Sequence, residues 1–146
     1  MHRETRRVPY PAGLMYRVVA EVEHYPEFLP WVLGLRVKSR TEHQVIAEML
    51  VGYKGFRERY TSRVTLDPQN HRIDVEQAEG PFKTLANHWR FTPREDGCEV
   101  DFAIDFAFKS RILGAVASAA FEKALMKMTE AFEARAKKIM EEEGVG

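Results

Sequence analysis

The spacing of hydrophobic positions changes period along the chain, and the change marks its two main parts. Over 112–140, Leu113, Val116, Ala117, Ala120, Phe121, Ala124, Leu125, Met128, Phe132, Ala136 and Ile139 recur at steps of three and four. That spacing predicts one helix with a single buried stripe. Glu122, Lys123, Glu130, Glu133, Lys137 and Lys138 fill the opposite side, and no proline interrupts the run. At ~1.5 Å per residue such a helix is roughly 44 Å long. Before it the period is two, in six segments: 33–40, 44–52, 56–66, 72–79, 82–92 and 98–109. The last is the clearest, with Val100, Phe102, Ile104, Phe106 and Phe108 alternating with Glu99, Asp101, Ala103, Asp105 and Ala107. Alternation of this kind predicts a strand with one dry and one wet face.

Turn signals separate the strands: Gly52 and Gly55 bracket one connection, Asp67-Pro68-Gln69-Asn70 ends the third strand, and Asp96-Gly97 is a strong hairpin signal. Connections this short imply an antiparallel meander. Residues 2–8 read as a short polar edge strand. Tyr10-Pro11 opens a helix with Met15, Val18, Val19 and Val22 on its apolar face. His24-Tyr25-Pro26-Glu27-Phe28-Leu29-Pro30-Trp31 follows, where two prolines four apart permit at most one helical turn. Its Tyr25, Phe28, Leu29 and Trp31 are too many large apolar groups for an ordinary surface loop.

The sixth strand, at ~3.3 Å per residue, is roughly 40 Å long and so matches the final helix. The expected architecture is α+β: a curved antiparallel sheet of six to seven strands wrapped around the long C-terminal helix, with two short helices near the N-terminus closing one end. Each strand then has inward positions. The third contributes Phe56, Glu58, Tyr60, Ser62, Val64 and Leu66, the fourth Ile73, Val75 and Gln77, and the fifth Leu85, Asn87, Trp89 and Phe91. Glu58, Ser62, Gln77 and Asn87 are polar on a face that should be dry, and burying them is costly unless they are bonded. Either they satisfy one another, or a cavity with polar fittings lies between sheet and helix. The run 114–120 is nearly all small, which either leaves volume unfilled or permits close approach.

Bulk properties narrow the class. The 146 residues fit one domain, 1–146, with a sizeable core. Lysine plus arginine, 22, equals aspartate plus glutamate, 22, so no global basic field draws in DNA. One cysteine, Cys98, excludes an internal disulfide and favours a reducing compartment. No segment has the ~18 apolar residues of a membrane span, and the expectation is a mature cytoplasmic protein. His2, His24, His43, His71 and His88 show no metal-ligand spacing, and no serine or cysteine stands in a nucleophile motif. No catalytic residue, metal or required cofactor is expected.

Four stretches carry a family resemblance: 24–31, quoted above; Val51-Gly52-Tyr53-Lys54-Gly55-Phe56-Arg57-Glu58-Arg59-Tyr60-Thr61-Ser62-Arg63-Val64; Gly80-Pro81-Phe82-Lys83-Thr84-Leu85 with Asn87 and Trp89; and Phe106-Ala107-Phe108-Lys109-Ser110. Together they resemble the coenzyme Q-binding branch of the START-like, polyketide-cyclase superfamily, the branch that also includes the bacterial ribosome-association toxin. The resemblance implies a helix-grip fold around a hydrophobic tunnel. It also implies binding of ubiquinone or a related isoprenoid lipid, supporting respiratory electron transport, with no chemistry done on the ligand. Peripheral contact with the inner membrane fits that role. For the toxin-like members it implies action on the large ribosomal subunit instead.

The expected ligand contacts are Tyr25, Phe28 and Trp31 at the mouth, as a gate or a plain plug. Glu58, Tyr60, Ser62, Gln77, Asn87, Trp89 and Phe106 are expected on the sheet, and Val116, Ala117 and Ala120 on the helix. The 125–139 half of the helix is expected to be ordinary core. Outside, Arg57, Arg59 and Arg63 with Arg3, Arg6 and Arg7 build either a basic surface for phosphate groups of ribosomal RNA or lipid, or a solvated face that discourages edge pairing.

Overall fold

A computed structural model describes residues 2–53 and 56–143; for Tyr53, Phe56, Val116, Ser118, Ala120 and Phe121 it describes the backbone alone. The chain runs β1 (His2–Val8), α1 (Ala12–Ala20), a 3-10 turn (Val22–His24), α2 (Tyr25–Phe28), then β2 (Val32–Arg40), β3 (Gln44–Tyr53), β4 (Phe56–Asp67), β5 (Arg72–Glu79), β6 (Phe82–Arg94), β7 (Gly97–Phe108) and α3 (Arg111–Glu143). The seven strands form one antiparallel sheet in the order β1-β7-β6-β5-β4-β3-β2. The meander is the one the short connections predict. The tertiary structure adds that β1 returns to the free side of β7, so β1 and β2 are the two edges. The Gly52–Gly55 connection falls partly outside the described residues.

Capping and turn chemistry set the boundaries. The Ser110 hydroxyl oxygen accepts a hydrogen bond from the Leu113 N–H at 3.2 Å, starting α3 one residue before the periodic stripe. At its other end α3 continues to Glu143, where Arg17 of α1 donates to the Glu143 carboxylate at 3.0 Å. The β6–β7 hairpin turns on Glu95 and Asp96, and Gly97 is the first residue of β7. Gly97 has φ +148°, and a Cβ there would stand 2.0 Å from the Val8 carbonyl oxygen. Its glycine is therefore needed both for the turn and for the close passage of β1.

The dry face of the sheet meets α3 and α1. Val45, Ala47, Val64, Ile73, Phe82, Trp89, Phe91, Val100, Phe102 and Ile104 are buried there, against Leu125, Phe132 and Ala136 of α3 and Met15, Val18 and Val19 of α1. The alternation of β7 holds through Ile104. Phe106 and Phe108 beyond it are half-buried.

Candidate functional site

A cavity of about 120 Å³ lies between the sheet and the middle of α3. Its walls follow from the two periodicities. Alternate residues of β3 to β7 point inward, among them Met49, Tyr60, Ser62, Val75, Asn87 and Ile104, and Ala124, Leu125, Met128 and Phe132 face them from α3. Val22, Tyr25, Leu29 and Trp31 close the end formed by the 3-10 turn and α2. No described charged side chain lines it. Burial pushes the Tyr60 hydroxyl up to about 12, and burial again, before any neighbouring charge, raises that of Tyr25 further. Both phenols are neutral at physiological pH and both are bonded, Tyr25 to the Val19 carbonyl oxygen and Tyr60 to the Met49 sulfur at 3.4 Å.

Two polar groups keep spare bonding capacity inside these walls. Ser62 is 1% exposed and its hydroxyl oxygen has no hydrogen-bond partner among the described residues. Asn87 Oδ1 accepts the Trp89 Nε1–H at 3.0 Å, which leaves the Asn87 amide hydrogens without a described protein acceptor. A buried hydroxyl left unbonded costs about 1–3 kcal/mol. An arrangement that keeps a hydroxyl and an amide on a charge-free apolar wall is suited to orienting one neutral polar group of a mostly apolar ligand.

The sequence-derived contacts divide. Tyr25, Trp31, Tyr60, Ser62, Asn87 and Trp89 line the cavity. Gln77 does not: its side-chain amide donates to the Phe82 carbonyl oxygen at 2.8 Å and accepts the Phe82 N–H at 3.0 Å, bracing the turn between β5 and β6. Gly80, at φ +156°, makes room for it, since a Cβ there would lie 2.4 Å from the Gln77 amide oxygen. Glu58 stands beyond Tyr60 at the end of β4, past its pairing with β5, and is half-exposed outside the walls. Phe28 packs edge-on to Phe132, ring centroids 5.5 Å apart, behind the lining. Phe106 contacts Phe108 near the open end of β7.

The helix contribution differs most from expectation. The described helix lining comes from Ala124, Leu125, Met128 and Phe132, all but Ala124 in the half expected to be plain core, and Ala117 is fully buried but not part of it. The side chains of Val116 and Ala120 lie outside the described residues. A Cβ at Gly114 would meet the Phe108 side chain at 3.7 Å, an ordinary packing distance. Sequence reasoning missed Met49 and Val51 because β3 carries apolar residues on both faces, Ile46 and Leu50 among them, which hides its inward set. Leu125, Met128 and Phe132 were visible as a stripe, but a stripe does not tell packed volume from empty volume.

Of the two alternatives for the basic residues, the ion pairs fit the solvated, charge-paired face. Arg6 faces α3, pairing with Glu4 at 3.0 Å and Glu133 at 3.6 Å, while Arg63 pairs with Glu76 at 2.6 Å and Arg7 with Asp96 at 3.2 Å. β1 and β4 are separated by three strands. Glu21, Glu23 and His24 bring ligand-type atoms within 4.8 Å of one another, but each is already engaged, with Arg17, Arg40 and Glu27. No described helix is long and apolar enough to cross a membrane.

Residues 8–133 match the family model described as polyketide cyclase / dehydrase and lipid transport. The chain is 36% identical over 141 residues to a ribosome association toxin, RatA, of Rickettsia prowazekii, covering 94% of this chain and 97% of that protein. It is 33% identical over 143 residues to the mitochondrial coenzyme Q-binding protein COQ10 homolog B of Xenopus laevis, of which it spans 58%. The solution structure of an 18 kDa protein from Caulobacter crescentus superposes with a TM-score of 0.74 at 40% identity, covering 95% of this chain and 98% of that one.

Proposed function

Because the chain belongs to the polyketide cyclase / dehydrase and lipid transport family, we propose that it binds and carries a neutral isoprenoid lipid, ubiquinone or a close relative, in the cavity between sheet and α3. The observation that carries this reading is the Ser62 hydroxyl, unpartnered among the described residues, in an apolar cavity that no described charged side chain lines, with the Asn87 amide two strands away on the same wall. Quinone carbonyls are acceptors that both groups can satisfy. The likeness to a protein named for coenzyme Q binding supports it. Apolar walls solvate the tail at roughly 25 cal/mol per Å² buried, and delivery of the lipid would support respiratory electron transport.

Size sets a condition. A cavity of about 120 Å³ is below the ~150 Å³ that accepts a benzene ring and well below the ~300 Å³ where ligand pockets begin. An isoprenoid tail therefore requires the walls to part, and the contacts of Tyr25 and Phe28 with Phe132 at the α2 end are where we place that opening. Organic extraction of the purified protein with mass spectrometry tests the reading. A stoichiometric quinone, lost in Ser62→Ala, is expected. A protein that neither copurifies with nor takes up ubiquinone from detergent micelles overturns it.

A second reading has its own support, the 36% identity to a ribosome association toxin over nearly the whole of both chains. In it the protein regulates translation by binding the large ribosomal subunit through its outer surface. Co-sedimentation with that subunit at low salt is expected, and its absence removes the reading.

A further inference from the structure

On the face of the sheet turned away from α3, Arg72 of β5 stands directly opposite Arg90 of β6. Both alternate with inward residues, Ile73 and Trp89, and both are exposed. Cross-strand partners have Cα atoms roughly 4.5–5.5 Å apart, and like charges placed so oppose sheet formation. The nearby acids relieve the conflict only in part. Asp74 pairs with Arg72 at 3.4 Å and with His88 at 2.6 Å, while Asp101, in register with Arg90 on β7, is held by the Thr5 hydroxyl at 2.8 Å. Arg90 makes no ion pair with any described residue. The two arginines border a groove of about 440 Å³ that Arg3, His88, Glu4 and Asp101 also line, over a floor lowered by Ala103; the Glu4 carboxylate itself turns to Thr129 of α3.

We propose that this groove is a docking surface for the phosphodiester backbone of RNA. The inference rests on the second reading above and gives that reading a location. A phosphate seated between Arg72 and Arg90 turns a repulsive pair into a shared clamp, since guanidinium groups bind phosphate in paired hydrogen bonds. Trp89 and Phe102 border the groove but bury their side chains in the core, which suits a backbone contact rather than base stacking. Arg3 lies two strands from Arg90 in the next outward row, with His88 and Ala103, so the three arginines fall on a diagonal that a strand of phosphates spans and an isolated ion does not.

The test uses the full chain with purified large ribosomal subunits, over a series of salt concentrations. Arg72→Glu and Arg90→Glu are each expected to weaken co-sedimentation by about ten-fold or more, and to lower the slope of log affinity against log salt by about one. Arg57→Glu and Arg59→Glu, exposed on β4 outside the groove, are expected to stay within about two-fold of wild type. Circular dichroism melts establish that each variant folds. Wild-type binding that the groove variants leave intact overturns the groove while the ribosome reading stands. Equal losses in all four variants overturn it in favour of diffuse attraction. No wild-type binding at low salt overturns both. Groove variants that lose binding only to vesicles of anionic phospholipid assign the surface to membranes and overturn the proposal.

Discussion

Asn87 and Trp89, two residues apart on the same face of β6, are joined by a 3.0 Å hydrogen bond from the indole Nε1–H to the side-chain oxygen. The bond holds the Asn87 amide in one orientation, with its oxygen spent on Trp89 and its hydrogens left over at the cavity wall. Trp89 is packed on the other side by Phe102 and Phe132, at 4.3 and 5.4 Å between ring centroids. The polar edge of the site is thus held by its most rigid apolar part.

Ser62→Ala removes a hydroxyl that has no partner among the described residues. The expected outcome is a ligand-free protein more stable by roughly 1 kcal/mol, read from urea unfolding, together with weaker ligand binding. Stability gained and binding lost mark a group kept for function. Asn87→Leu goes the other way on stability, since it strands the Trp89 N–H. A destabilised Ser62→Ala protein would mean that the hydroxyl is bonded after all.

Gln77→Ala deletes both bonds to the Phe82 backbone. It should cost about 1–3 kcal/mol, lower the melting temperature and leave ligand affinity unchanged in the folded protein. Loss of affinity in proportion to that of Asn87 variants would return Gln77 to the site.

Arg135 of α3 holds the closed end by two contacts, an ion pair to Glu27 at 3.3 Å and a guanidinium 5.3 Å above the Phe28 ring. Arg135→Ala should cost roughly 1 kcal/mol and speed ligand exchange, measured by stopped-flow fluorescence of Trp31 and Trp89. Acid should act on the same tether. The His24 hydrogen bond, and after it the nearby cations, hold the Glu27 carboxyl below its ordinary 4.5. Its contribution is therefore complete above pH 4.5 and is lost as pH falls through the lowered value. Exchange rates that do not rise in that range would show that the tether does not govern entry.

Cys98 is buried, and desolvation pushes its thiol up to about 11. Iodoacetamide at pH 8 should label it very slowly in the native protein and rapidly in urea. Fast native labelling would give Cys98 a reactive role that its packing does not suggest.

The expected ligand contacts show where sequence reasoning was strong. Tyr60, Ser62, Asn87 and Trp89 were legible because a strand sends alternate residues to one face, whatever lies opposite. Gln77 was legible as inward but not as engaged. Its bond partner is a backbone group across a turn, and no side-chain pattern announces that. The small run 114–120 was legible as small but not as cavity or contact, because residue size alone does not tell empty space from close packing, and at Ala117 the side chain is fully buried outside the described lining.

By itself the sequence determined the seven strands, the long α3 and the apolar stripe along it, since these follow from local periodicity, turn residues and capping. Only the tertiary structure decided how that stripe is used. Where α3 crosses the sheet, Ala124, Leu125, Met128 and Phe132 meet strands held slightly apart, and a cavity remains. The same crossing puts Arg6 against Glu133, and strand register sets Arg72 against Arg90. Volume and charge proximity are sums over residues distant in the chain, so a one-dimensional pattern names the participants without fixing their distances.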